Sequence, residues 1–282
     1  MARIVACIDG SVYSGSVADH TGWAAMRLGA EVELLQVLGR GETASQDRSG
    51  RIVPGARRQL LEELAALDGE RAKLLQQQGR FDLEEARTRI EATGVSDVTA
   101  SLRYGDLLEA LAEREPNADL VVVGKRGEAA DFAKLHLGSN LERMLRAARL
   151  PVLIAARAFR PIERLMIAFD GRSSALKAVA EVSRSPLFKG LEAMLVSAGE
   201  RTATLEAKVD AAAADLRAAG LAATVEIIPG PAIKAIPEAT ARERIDLVVM
   251  GAYGHSRLRT LAIGSTTSEV IRDCLVPILV YR

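Results

Sequence analysis

An internal repeat constrains the fold of this chain more than any other feature of its sequence. Three blocks occur twice and in the same order: RIVACIDG at 3–10 and RLMIAFDG at 164–171, DLVVVGKRG at 119–127 and DLVVMGAYG at 246–254, GSNLERMLRAARLPVLIA at 138–155 and GSTTSEVIRDCLVPILVY at 264–281. Chance does not easily produce three collinear matches. We therefore interpret the chain as a tandem duplication, with one unit at 1–156 and a second at 161–282.

Each half alternates short aliphatic runs with helical segments. The runs are rich in Val, Ile and Leu and lack strict alternation with polar residues, which is typical of parallel strands buried on both faces. Right-handed crossovers then favour a doubly wound sheet. The sequence thus predicts an α/β protein of two tandem Rossmann-like units, each a five-stranded parallel sheet flanked by helices.

The last strand of each half, within 151–156 and 276–281, is apolar and is expected at the edge of its sheet. Exposed apolar edges in proteins are paired or covered. We expect the two halves to pair with each other through these strands, about a pseudo-two-fold axis. A further homodimer is left open, because no residue argues for it.

The first half carries about 35 extra residues, which fall at about 40–80. Residues 39–55 are polar and rich in turn formers, so they predict a loop. Residues 56–78 predict an amphipathic helix, separate from the next one at 81–93, because leucines recur at helical spacing: Leu60, Leu61, Leu64, Leu67 and Leu74. The favoured interpretation is a helix packed on its own unit; a lid or a partner-binding helix is the alternative.

Charge and cysteine content exclude several classes of protein. Lys plus Arg and Asp plus Glu both number 37, giving zero net charge, which argues against nucleic acid or a membrane surface as the main partner. Cys7 and Cys274 are too few and too far apart for a disulfide framework or a metal knuckle, and we expect both to be buried. A strand already begins at Arg3 and no apolar run approaches the ~20 residues of a membrane span, so a soluble, cytoplasmic protein without a signal peptide is expected.

In a doubly wound sheet, ligands bind beyond the carboxyl ends of the strands. The first strand of each half ends in Asp-Gly, at Asp9 and Asp170. Either carboxylate could accept hydrogen bonds from a base or a ribose, or could equally stabilise the turn or cap the following helix.

The fourth strand of each half runs into a loop with regularly spaced glycines. In the second half Gly251, Gly254 and Gly264 are separated by two and nine residues, and Ser265 and Thr266 follow. We expect the first two glycines to take positive φ and to let the backbone approach a ligand. Gly264-Ser265 begins a helix, where free N–H groups favour a phosphate.

These residues resemble the universal stress protein family, which has the same five-stranded α/β unit and the pattern G, two residues, G, nine residues, G-S/T. The resemblance covers essentially the whole chain as two units, apart from the insertion, and points to the tandem type found in bacteria. It implies binding of ATP or another adenine nucleotide, with Mg left open. The implied contacts in the second half are Asp170, Gly251, Gly254, Gly264, Ser265 and Thr266. Those in the first half are Asp9, Val37, Gly124, Gly127, Gly138 and Ser139.

The two loops differ, and the second half is expected to be the better nucleotide site. Ten residues separate Gly127 from Gly138, one more than in the second loop. The first loop contains Glu128 and Asp131, partly offset by Lys125, Arg126 and Lys134, whereas the second has His255, Arg257 and Arg259 and no acid. Carboxylates beside a triphosphate lower its affinity.

Few residues indicate an enzyme. The sequence has no GxxxxGK[ST] loop, no GxSxG elbow and no metal-ligand spacing of histidines. His20 and His136 are expected to be surface or cap residues, while His255, next to Gly254, could contact a phosphate. The sequence favours a nucleotide-binding stress or regulatory protein with little or no turnover. A slow ATPase or nucleotidyl transferase, or a duplicated scaffold that has lost its ligand, are the alternatives.

Overall fold

The computed structural model describes residues 1–39, 56–125, 139–251 and 265–282, with the backbone alone for 56–62, 139 and 265. Two helix–strand series of the same order follow each other along the chain. The elements of the first are β1 (Arg3–Cys7), α1 (Ser14–Leu28), β2 (Glu31–Gly39), α2 (Ala56–Glu91), β3 (Val98–Gly105), α3 (Leu107–Ala112), β4 (Leu120–Gly124), α4 (Ser139–Ala147) and β5 (Val152–Ala155).

The second series repeats the first. Its elements are β6 (Arg164–Ala168), α5 (Ser173–Arg184), β7 (Glu192–Ala198), α6 (Ala203–Ala218), β8 (Ala222–Ile228), α7 (Ala232–Arg242), β9 (Leu247–Gly251), α8 (Ser265–Asp273) and β10 (Ile278–Tyr281).

The strands form one ten-stranded sheet in the order β3-β2-β1-β4-β5-β10-β9-β6-β7-β8. Within each series every pairing is parallel. The predicted class, two doubly wound α/β units, is therefore confirmed. Helices cover both faces of the sheet, and two aliphatic clusters form the core.

The repeated Arg and Asp of the matched blocks have the same structural role in both units. The backbone N–H of Arg3 donates to Asp119 Oδ2 at 2.9 Å, and that of Arg164 donates to Asp246 Oδ2 at the same distance. Each aspartate thus joins the start of the first strand to the start of the fourth strand. This shared contact explains why both matched blocks contain the aspartate; it involves only the backbone of the arginine.

The two units meet where β5 and β10 pair antiparallel, with Leu153 opposite Leu279. The predicted pairing through the terminal strands is confirmed, and the strand order reads the same outward from this seam in both directions. Side chains add to the junction: the Lys125 ammonium donates to the carbonyl of Cys274, and Arg27 Nε donates to the carbonyl of Leu187 at 2.6 Å.

Helix α2 differs from the prediction of two separate helices. It is one continuous helix of 36 residues, from Ala56 to Glu91. Gly79 does not interrupt it but lies against the sheet, where an added Cβ would be 2.9 Å from Leu102 Cδ1. The loop predicted at 39–55 lies, beyond Gly39, outside the described residues.

The expectation that the insertion packs on its own unit is only partly correct. Within the insertion Gly79 is buried and Leu75 is half-buried. Leu83 and Ile90, which are buried in the core of the first unit, lie beyond it, in the segment predicted as the next helix. Of the five leucines that define the apolar spacing, the three whose side chains are described are exposed: Leu64 by 42%, Leu67 by 61% and Leu74 by 64%. The side chains of Leu60 and Leu61 lie outside the described residues. In the part of the chain that the structure describes, none of the helices combines the length and apolarity that crossing a bilayer requires.

Candidate functional site

A cavity of about 500 Å³ opens at the carboxyl ends of the strands of the first unit. Asp9 after β1, Gly39 at the end of β2 and Gly105 at the end of β3 line it. Helix α2 closes one side through Leu75, Gln78, Gly79 and Asp82. The position agrees with the rule for doubly wound sheets, and the insertion helix becomes a wall of the cavity.

The Asp-Gly pairs after β1 and β6 have the same local geometry. Asp9 Oδ1 accepts hydrogen bonds from the backbone N–H of Ser11 at 3.0 Å and from Ser14 Oγ at 3.2 Å. Asp170 Oδ1 accepts one from the backbone N–H of Arg172 at 3.0 Å. The following glycines have φ of 71° and 70°, and such left-handed turns favour glycine. Both aspartates therefore stabilise the turn, and a ligand contact remains a prediction.

Gly251 is the last residue of β9, where it pairs with Tyr281 in extended backbone. The expected positive φ is therefore wrong for this glycine. An added Cβ would lie 2.5 Å from the carbonyl carbon of Ser174 at the start of α5. Close packing of strand and helix is thus the physical reason for glycine here.

Gly124 ends β4, where it pairs with Ala155, and the half-buried Val37 lies on β2 and lines the cavity. Ser139 and Ser265 begin α4 and α8 as predicted, and Thr266 is exposed in the first turn of α8. The remaining predicted residues, Gly127, Gly138, Gly254 and Gly264, lie outside the described residues. So do the charged residues of both loops other than Lys125.

One pair of equivalent residues, which the sequence analysis does not single out, differs in charge. Asp82 on α2 and Lys208 on α6 each lie twelve residues before the glycine that follows the helix, Gly94 or Gly220. Asp82 Oδ2 is 2.6 Å from the point that a Cβ on Gly10 would occupy. In the second unit, Lys208 Nζ donates to the carbonyl of Gly171 at 3.3 Å. A carboxylate and an ammonium thus occupy the same place beside the Asp-Gly turn.

A second pair lies at the start of the helix that follows the third strand. Glu109 on α3 and Lys234 on α7 each lie four residues after a glycine with positive φ, Gly105 or Gly230. Glu109 lines the first cavity. The two units therefore place opposite charges at two equivalent positions each.

Asp106, which also lines the cavity, begins α3. Its Oδ1 accepts from the N–H groups of Leu108 and Glu109 at 2.8 and 3.3 Å, and Arg143 Nη2 lies 2.9 Å from Oδ2. Arg143 and these backbone donors lower the pKa of Asp106. The equivalent residue of the second unit is Pro231, which is neutral.

Two buried polar atoms without a partner in the described chain lie at equivalent positions. Gln36 on β2 is 5% exposed and Ser197 on β7 is fully buried. Neither Gln36 Oε1 nor Ser197 Oγ has a hydrogen-bond partner among the described residues. Each is the sixth residue of a strand that begins with glutamate. Repeated unsatisfied groups beside strand ends are a signal for a ligand, which sequence reasoning missed.

His20 contradicts the expectation of a surface or cap residue. It is fully buried, its Nδ1 lies 2.7 Å from the carbonyl oxygen of Ser16, and its ring meets Phe159 edge-on at 5.0 Å between centroids. Burial lowers the pKa of His20. The ring belongs to the packing between α1 and the segment that joins the two units.

The cysteines are close to expectation. Cys274 is buried and Cys7 half-buried, and both are free thiols. Desolvation raises the pKa of Cys7 to about 12 and that of Cys274 to about 11. Among the described residues, no group of His, Cys, Asp and Glu side chains is arranged to hold a metal ion.

Two doubly wound units with a cavity beyond the strand ends define a Rossmann-like α/β protein. The chain belongs to the universal stress protein family, whose model matches residues 1–156 and 179–282. A universal stress protein of Synechocystis sp. is 34% identical over 287 residues, with 100% of both chains covered.

Solved structures agree on the fold. A universal stress protein from Archaeoglobus fulgidus matches 99% of this chain and 98% of its own, with a TM-score of 0.74 and 22% identity. A Pseudomonas aeruginosa protein assigned to the same family matches 100% of this chain and 93% of its own, with a TM-score of 0.65 and 19% identity. At such identities the likeness extends to the fold alone.

Proposed function

We propose that this chain is an adenine-nucleotide-binding stress-response protein that holds ATP in its second unit and turns it over slowly or not at all. The observation that carries the proposal is the basic character of the second unit around its Asp-Gly turn. Lys208 contacts the carbonyl of Gly171, and Lys234 occupies the place of Glu109. Ammonium groups there suit a ligand with several negative charges.

Two further features support the same ligand. The glycine spacing of Gly251, Gly254 and Gly264 fits the family pattern, and Ser265 begins helix α8, whose free N–H groups favour phosphate. Asp170 would accept hydrogen bonds from the adenosine part.

The direct test is to denature the purified protein and to chromatograph the released compounds. One equivalent of adenine nucleotide supports the proposal, two would indicate that both units bind, and none favours the scaffold without a ligand. Incubation with labelled ATP in single turnover separates binding from catalysis: conversion faster than about one per minute would favour the enzyme.

Matched substitutions locate the nucleotide. Gly264→Val or Ser265→Ala is expected to remove most bound nucleotide, whereas Gly138→Val or Ser139→Ala removes little. Equal losses from both units would contradict the assignment to the second.

Charge reversal at Lys208 tests the electrostatic part. Lys208→Glu exchanges an attraction for a repulsion, each about 0.5–1 kcal/mol at an exposed position, so ATP is expected to bind roughly 5- to 30-fold more weakly. Lys177→Glu on α5 makes the same charge change at another exposed lysine. If both variants weaken ATP equally, net charge rather than this position is responsible.

A further inference from the structure

The cavity of the first unit has the wrong charge for a phosphate. Four carboxylates line it, those of Asp9, Asp82, Asp106 and Glu109, and its described lining contains no Lys or Arg. Asp9 and Asp82 receive hydrogen bonds from neutral donors, Ser11, Ser14 and Gln36, so their charge is not compensated there. Only Asp106 has an ion-pair partner among the described residues, Arg143 at 2.9 Å.

Arg89, the arginine of α2 in the described lining of a smaller neighbouring cavity, does not change this balance. That cavity has a volume of about 260 Å³ and shares Asp82 with the first. The Arg89 guanidinium faces two other carboxylates, Asp19 at 3.3 Å and Glu85 at 3.7 Å. The field of the described lining therefore favours a cation.

A buried acceptor points to the same kind of ligand. Gln36 lines the cavity with 5% exposure, and its amide nitrogen donates to Asp82 Oδ2 at 3.3 Å. Its Oε1 has no donor among the described residues. A buried acceptor left without a donor costs about 1–3 kcal/mol. Gln36 Oε1 lies beside Gly79 of the cavity wall, 3.3 Å from the point that an added Cβ there would occupy. A ligand N–H that reaches it would remove that cost.

Four aliphatic side chains share the lining with these carboxylates: Val37, Leu38, Leu75 and Leu107. The other lining residues are glycines and the amide-bearing residues Gln36, Gln78 and Asn140. Methylene groups suit the aliphatic side chains and ammonium groups suit the carboxylates, so a chain of methylenes with spaced amines matches both. At about 500 Å³, the cavity falls in the usual range of small-molecule sites, about 300–1,000 Å³.

We propose that the first unit binds a linear polyamine, with ammonium groups at Asp9, Asp82 and Glu109 and an N–H on Gln36 Oε1. The insertion supplies much of this site, because Asp82, Gln78 and Leu75 all lie on α2. The duplicated units thus bind ligands of opposite charge.

Calorimetric titration of the full chain with spermidine, and separately with ATP, tests the proposal. Asp82→Lys introduces the residue type that the second unit has at this position and is expected to weaken spermidine at least tenfold without changing ATP affinity. Asp82→Asn keeps the shape and is expected to weaken spermidine about threefold or more, which covers a failure of the lysine variant to fold. The matched control is Glu84→Lys, an exposed position on the same helix outside the cavity lining, with an expected change below twofold.

Three results would overturn the proposal: no spermidine binding, equal weakening by Glu84→Lys and Asp82→Lys, or displacement of spermidine by ATP mole for mole. The first two leave ATP binding untouched, so they do not bear on the nucleotide proposal. Loss of ATP binding with spermidine binding retained would instead contradict the nucleotide proposal alone.

Discussion

Replacing Gly251 by alanine separates two explanations of this glycine, close packing and ligand approach. The added Cβ would lie 2.5 Å from the carbonyl carbon of Ser174 and 2.7 Å from its oxygen. Ordinary contact begins near 3.4 Å, so β9 and the start of α5 must separate by nearly 1 Å. Val249 and Leu279 near this point are fully buried, so the surrounding core has no free space for the added methyl group.

Overpacking of this kind costs about 1–3 kcal/mol. At roughly 2–4 °C per kcal/mol for a protein of this size, the melting midpoint of nucleotide-free Gly251→Ala is expected about 2–12 °C below wild type. Circular dichroism at 222 nm measures it. Gly69→Ala is the matched control, because Gly69 lies in α2 with nothing within 4 Å of its added Cβ. There alanine is favoured by about 1 kcal/mol in helix propensity, so the midpoint should not fall.

The ligand-approach explanation gives the opposite pattern. Gly251→Ala would then melt within about 1 °C of wild type without nucleotide, and only the stabilisation by added ATP would be lost. That result would refute the packing argument.

Three further predictions concern the junction and the thiols. The pKa of His20 is lowered in the folded protein, so below pH 6.5 the unfolded ring binds a proton that the folded ring does not. The free energy of unfolding, measured with urea, should therefore fall by up to about 1.4 kcal/mol per pH unit below pH 6.5. His20→Asn should flatten this part of the pH profile. Arg282→Ala removes donations to the carbonyls of Arg146 and Ala148 at 2.9 and 3.0 Å and should lower the free energy of unfolding by about 1 kcal/mol; an unchanged urea midpoint would contradict it. Cys7 and Cys274, with pKa values of about 12 and 11, should react with iodoacetamide at pH 8 far more slowly in the folded than in the urea-unfolded protein; equal rates would show that the thiols are accessible and ionisable.

The order of the elements and the pairing of β5 with β10 could be predicted, because the short aliphatic runs and the repeat can be seen in the sequence without knowledge of any tertiary contact. The continuity of α2 could not. A glycine such as Gly79 is typical of a helix end. Here it lies instead at a point where the sheet approaches the helix, with Leu102 Cδ1 2.9 Å from its added Cβ. Only the tertiary contact distinguishes the two roles.

The sequence indicates a charge difference between the two glycine loops, but the one between Asp82 and Lys208 was missed. Asp82 and Lys208 lie outside the three matched blocks, and their positions beside Gly10 and Gly171 depend on helix packing rather than on sequence distance. An alignment of Gly94 with Gly220 would place Asp82 and Lys208 at equivalent positions and was the signal available in the sequence. His20 was misjudged for a similar reason, because Phe159 covers it from a segment 139 residues away.

The antiparallel seam between β5 and β10 has a consequence for the stoichiometry of the two sites. Two separate subunits joined by such a seam would part on dilution and could exchange partners. Here the partner strand is tethered, so the effective concentration is set by the connecting chain and not by the amount of protein. Each molecule therefore carries the acidic cavity of the first unit and the basic turn of the second in a fixed one-to-one ratio at any expression level, a combination that exchanging identical subunits cannot provide.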